Sequence, residues 1–96
     1  MKFEWDENKN EKNIKKHGVD FNEAETVFYD ENALYEFDDE HSIHEQRFKI
    51  IGMSNHSRII VVFHCIRIYD VIRIISARPL KNHEIINYKK KLGGRL

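Results

Sequence analysis

Residues 47–79 leave this chain the fewest ways to fold. Three runs rich in β-branched and aromatic residues, 47–54, 59–66 and 71–78, are separated only by Asn55-His56-Ser57 and by a short stretch containing Tyr69-Asp70. Such runs suit a pleated, half-buried surface. The breaks are too short for a crossover helix, so each strand must turn back beside the one before it, giving an antiparallel meander. Pro79 ends the third strand because it has no N–H to give to the ladder. A run at 33–38 predicts a fourth strand, and residues 3–5 a short further one.

Helical signals flank this sheet. Asp6 is a suitable N-cap for a helix over 7–17, and Gly18 can take the left-handed conformation that ends it. That helix is unusually polar. Its only large apolar residue is Ile14, so it is expected to lean on its neighbour through Ile14 and the aliphatic stems of its lysines. A second helix opens at Asp20, with Glu23 placed for a capping box, and runs to about Tyr29 with Phe21, Ala24, Val27 and Phe28 as its buried stripe. A last helix over 82–91 carries Ile85, Tyr88 and Leu92 on one face and stops at Gly93-Gly94. The reading is α+β: two N-terminal helices, a twisted antiparallel sheet of about four strands and a C-terminal helix, in one domain over residues 1–96.

With 41% hydrophobic and 33% charged residues, the 96-residue chain can bury one modest core. No apolar run approaches the ~20 residues of a membrane span. The N-terminus, Met1-Lys2-Phe3-Glu4-Trp5-Asp6, lacks the apolar centre of an export signal. Cys65 is alone and sits in an apolar run, as a buried, inert thiol would. These features suit a soluble protein of the reducing cytoplasm.

The net charge of zero hides a division. Residues 1–57 carry 7 Lys and Arg against 14 Asp and Glu, a balance of −7; residues 58–96 carry 9 against 2, a balance of +7. Either the halves cancel through internal ion pairs, or the C-terminal half presents a basic surface to phosphates with the acidic run 36–40 as its flank.

Several blocks of sequence carry a family resemblance: Phe3-Glu4-Trp5-Asp6, the stretch Lys16-His17-Gly18-Val19-Asp20-Phe21-Asn22-Glu23-Ala24, and Arg73-Ile74-Ile75-Ser76-Ala77-Arg78. Between and beyond them come Lys9, Asn13, Phe28, His41-Ser42, Glu45-Gln46-Arg47, Gly52, Glu84 and Tyr88. In this order they resemble the BrnT family of toxins from bacterial type II toxin-antitoxin pairs. The resemblance implies a small cytoplasmic ribonuclease of RelE-like fold. Its expected partner is a ribbon-helix-helix, BrnA-like antitoxin in a 2:2 heterotetramer, which alone would contact operator DNA.

The residues can supply that chemistry. The sequence has no phosphate-cradling glycine loop and no carboxylate cluster spaced for two metals. Cleavage would then use the RNA's own 2′-hydroxyl, with a base, an acid and cations to stabilise charge on phosphorus. His41 or Glu84 is the expected base and Tyr88 or His41 the expected acid, with Arg78 and Arg47 as the stabilising cations. Lys9, Lys16, His17 and Lys81 are expected to hold RNA phosphates. Strict alternation puts Arg78 on one face with Ser76, Ile74 and Ile72, and Arg73 on the other with Ala77, Ile75 and Val71, unless a bulge intervenes. Arg78 is therefore assigned to the groove and Arg73 to an ion pair with the acidic half. His41 and His44 have no third ligand nearby, so neither a metal nor another cofactor is expected. Trp5 is read as core. The alternative is a non-catalytic module that binds protein or nucleic acid through the same basic half.

Overall fold

The computed structural model describes residues 1–93, and Gly94 of the expected helix stop lies outside them. A two-residue strand, β1 (Phe3–Glu4), leads into helix α1 (Glu7–His17), and α2 (Phe21–Thr26) follows, extended by a 3-10 turn at Val27–Tyr29. Strands β2 (Leu34–Phe37), β3 (Phe48–Met53), β4 (Ile59–Ile66) and β5 (Ile72–Pro79) come next, then helix α3 (Asn82–Lys91). Asp6 caps α1 by accepting from the Asn8 N–H at 2.8 Å, and Gly18 ends it at φ 69°. The sheet order is β1-β5-β4-β3-β2. Four strands pair antiparallel as expected, and β1 adds a fifth, parallel to β5.

Helix α1 does not dock as its composition suggests. Ile14 is 41% exposed, whereas Asn13 is 6% exposed and Asn10 is also buried. The Asn13 amide donates to the carbonyls of Val19 and Ala77, both at 2.8 Å, and accepts from the Ala77 N–H at 3.1 Å. β1 pairs only with Ile72 and Arg73, so beyond them the outer edge of β5 lacks a strand, and Asn13 satisfies its backbone instead. Asn10 accepts from the Phe21 N–H at 2.8 Å and fixes the turn into α2. The helix is held by amide hydrogen bonds, not by an apolar stripe.

The capping expectation for α2 is half right. Asp20 caps it, accepting from the Asn22 N–H at 2.9 Å. Glu23 turns inward instead. Its buried carboxylate accepts from Arg58 Nε and Nη2 at 2.7 and 2.6 Å and from the Ser54 hydroxyl at 2.6 Å. The Arg58 guanidinium, ahead of the other contacts, holds the Glu23 carboxyl below its usual range.

Two apolar clusters lie on opposite faces of the sheet. Phe21, Ala24, Val27 and Phe28 pack on Ile50, Ile60, Val62, Ile72, Ile74 and Ala77; Tyr88 of α3 and Leu92, which caps its C-terminus, pack on Ile51 and Val61. Cys65 is buried, and burial pushes its thiol pKa up. Ile72, Ile74 and Ala77 share one face because Phe63 pairs with Ser76 while His64 pairs with Ile74, leaving Ile75 as an extra residue in β5. The bulge overturns the alternation argument. Arg73 and Arg78 both stand opposite that cluster, on the side of α3.

Much of the charge division cancels internally. Carboxylates of the first half meet cations of the second at Glu4–Arg73, Glu23–Arg58, Glu45–Arg67 and Glu36–Lys91, at 2.7, 2.6, 3.2 and 2.6 Å respectively.

Candidate functional site

On the α3 side of the sheet, α3 leaves part of the surface open as a groove of about 800 Å³. Lys49, Phe63 and Ser76 are paired neighbours on three adjacent strands and line it. Arg47 enters from the start of β3, Arg78 from β5, Lys16 and His17 from the end of α1, His41 from the loop after β2, and Lys81 and Glu84 from the start of α3.

Arg78 is fixed on three sides. Its Nη1 and Nη2 donate to Glu84 Oε1 and Oε2 at 2.7 and 3.0 Å, Nη1 also reaches the Pro79 carbonyl at 3.3 Å, and Cζ lies 5.6 Å from the centre of the Phe63 ring. This uses three N–H bonds of the fork and leaves Nε–H and one Nη2–H for a ligand. The fork also answers for Glu84. Hydrogen bonds from Arg78, more than the Lys81 N–H, hold the Glu84 carboxyl at about 2. A carboxylate so stabilised is a poor general base, and Glu84 is here a group that positions Arg78.

Tyr88 is withdrawn more completely. It is 2% exposed inside the α3 cluster, does not line the groove, and burial raises its pKa. The helical spacing that made it a candidate was the signature of core packing. Lys9 is exposed on α1 but outside the groove. Trp5 packs edge-on against Phe21, ring centroids 6.0 Å apart, as its core reading expects.

The loop between β2 and β3 is closed by Ser42, whose hydroxyl donates to the Asp38 carbonyl at 2.6 Å and accepts from the Arg47 N–H at 2.9 Å. One serine thereby holds both ends of a loop carrying His41 and Arg47. His41 Nδ1 lies 2.8 Å from Asp38 Oδ2, and Asp38 itself is 5% exposed. Arg47 Nη2 approaches Glu45 Oε1 at 3.5 Å, while its buried Nε finds no acceptor among the described residues. Asp38 was invisible to sequence reasoning as a site residue, because in an acidic run nothing marks one carboxylate as buried.

His17, expected as a phosphate contact, lines the groove from the end of α1. Burial first, then the charges of Lys16 and Arg78, push its pKa below the ordinary 6.5. At neutral pH it is an uncharged imidazole among cations.

A groove lined by two arginines, three lysines and three imidazoles, with four carboxylates among them, on the open face of a small α+β sheet suits a protein that handles a phosphodiester backbone. Residues 5–84 match the family described as "Ribonuclease toxin, BrnT, of type II toxin-antitoxin system", and the chain belongs to this family. Among solved structures, it is similar to the crystal structure of the Brucella abortus ribonuclease toxin BrnT, with 28% identity and a TM-score of 0.63 over 85% of this chain and 99% of that one. No curated protein matches.

Proposed function

We propose that this groove binds RNA and cuts it through the substrate's own 2′-hydroxyl, without a metal, as the toxin of a type II toxin-antitoxin pair. The observation that carries this reading is the convergence of Arg78, Arg47, His41, Lys16, His17 and Lys81 on one open groove from five separate parts of the chain. Arg78 stabilises the charge that grows on the phosphorus oxygens, Arg47 supports it, and Lys16 and Lys81 hold flanking phosphates.

The partner of this reading is a ribbon-helix-helix antitoxin. Two toxins sit on one antitoxin dimer, and only the antitoxin reads operator DNA. The complex works in the cytoplasm. Among the described residues no helix is long and apolar enough to cross a membrane.

The test incubates purified chain with RNA in the presence and absence of a chelator. Cleavage in both, leaving 2′,3′-cyclic phosphate ends, is the expected result. RNA that is bound but never cut supports a non-catalytic binding module, and chelator-sensitive cutting with 3′-hydroxyl ends overturns the 2′-hydroxyl route.

A further inference from the structure

With Glu84 tied to Arg78 and Tyr88 buried, His41 alone remains of the residues expected to transfer protons, and 2′-hydroxyl attack requires two such groups. We propose that His17 fills the second place: it takes the proton of the 2′-hydroxyl, and His41, held by Asp38, gives one to the departing 5′-oxygen. This rests on the ribonuclease reading above.

Geometry comes first. His17 is the last residue of α1, lines the groove, and its ring has no hydrogen-bond partner among the described residues. Its placement is fixed from behind, because Asn13, one helical turn earlier, is clamped to Ala77, the residue beside Arg78. In the same groove, His41 stands edge-on to Phe63 with ring centroids 6.2 Å apart, and Arg78 lies over that same ring. Phe63 thus contacts both His41 and Arg78, while His17 lies within reach of the Arg78 charge. Both imidazoles line the same groove as the cation that would hold the phosphate, which puts a base and an acid for 2′-hydroxyl attack at one site.

The surroundings set the roles. His17 faces Lys16 on its own helix and Arg78 from β5, with Lys81, His83 and Glu84 lining the same groove from the start of α3. The two near cations and burial keep its imidazole neutral at neutral pH and ready to accept a proton. His41 faces Asp38, Asp39 and Glu40 in its own loop, and Arg47 and Lys49 from the side of β3. An ionised carboxylate only accepts, so Asp38 takes up Nδ1–H of His41 and leaves Nε2 for the substrate. Asp38 is a positioning residue. Its burial keeps the carboxylate from swinging away.

The step balances without a co-reactant. His17 removes the 2′-hydroxyl proton, O2′ bonds to phosphorus, the P–O5′ bond breaks, and O5′ receives the Nε2 proton of an imidazolium at His41. The products are a 2′,3′-cyclic phosphate and a 5′-hydroxyl, and exchange with water restores both rings.

A short RNA with one scissile linkage, made with oxygen or with sulfur at the bridging 5′ position, separates the two roles, because a thiolate leaves without being protonated. His17→Gln, His41→Gln and Asp38→Asn are compared with the parent after thermal unfolding has shown each to be folded. On the oxygen substrate, both histidine variants should lose about 10²-fold or more. With sulfur, His41→Gln should regain most of its rate and His17→Gln should not. Asp38→Asn should fall on the oxygen substrate alone and change the tautomer of His41 seen in imidazole 15N spectra. If His17→Gln cuts the oxygen substrate within about threefold of the parent, or is the variant that sulfur rescues, the assignment is overturned. A parent that cuts neither substrate removes the ribonuclease reading itself.

Discussion

Arg78 and Glu84 meet end to end, guanidinium fork against carboxylate, at 2.7 and 3.0 Å. The same carboxylate accepts the Lys81 N–H at 2.8 Å, so one acidic side chain ties the end of β5 to the first turn of α3. Arg78→Ala should remove about 2–4 kcal/mol of transition-state stabilisation, the range for loss of one preorganised donor. Arg78→Lys keeps charge but loses the planar fork and should recover only part of it. Cleavage rates of the two variants check this, and an Arg78→Ala chain as active as the parent would take Arg78 out of the chemistry.

The Arg78–Glu84 pair also sets an acid limit. The Glu84 carboxyl is held at about 2 in the folded chain against an ordinary 4.5. A depressed folded value adds stability that is fully present above pH 4.5 and lost as pH falls toward 2. For a pair about a fifth exposed, the contribution is on the order of 2 kcal/mol. Melting temperatures at pH 7 and pH 3 should fall further apart in the parent than in Glu84→Gln. Equal losses would show that the pair adds nothing.

Asn13→Ala should be among the costliest single changes on α1. It leaves buried backbone groups of Val19 and Ala77 without partners, at about 2–3 kcal/mol. Asn13→Asp should do no better, because a carboxylate cannot donate to two carbonyls. Urea unfolding measures both, and a loss below about 0.5 kcal/mol would show that water replaces the clamp.

Arg73→Ala should do little. Its pair with Glu4 is 2.7 Å long but leaves the side chains 33% and 42% exposed, and pairs in such surroundings contribute about 0–1 kcal/mol. The variant should melt within a few degrees of the parent and cut RNA at the same rate.

The order of helices and strands was legible because periodicity and turn chemistry are local. The meander follows from short breaks, and α1 is bounded by Asp6 and Gly18, residues suited to those ends for stereochemical reasons. The sidedness of β5 was not legible. It depends on an extra residue, Ile75, whose accommodation is decided by the neighbouring strand. The groove's arginines and His41 were found through the family resemblance together with the cost of placing charge in apolar strands. Glu84 and Tyr88 were given chemical roles because a sequence does not tell a carboxylate that reacts from one that braces, or an exposed phenol from a buried one. Asp38 and Arg58 matter through partners distant in space or hidden in an acidic run, and neither leaves a periodic mark.

Asn13 has one more effect, on how copies of the chain can associate. By filling the hydrogen bonds of Ala77 where β1 stops, it closes the β5 side of the sheet to an incoming strand, and β1 itself offers only two residues. That leaves β2 as the usable margin. A sheet with one usable margin can pair once and then has nothing left to offer, so edge-to-edge association ends at two copies instead of running on into a fibre.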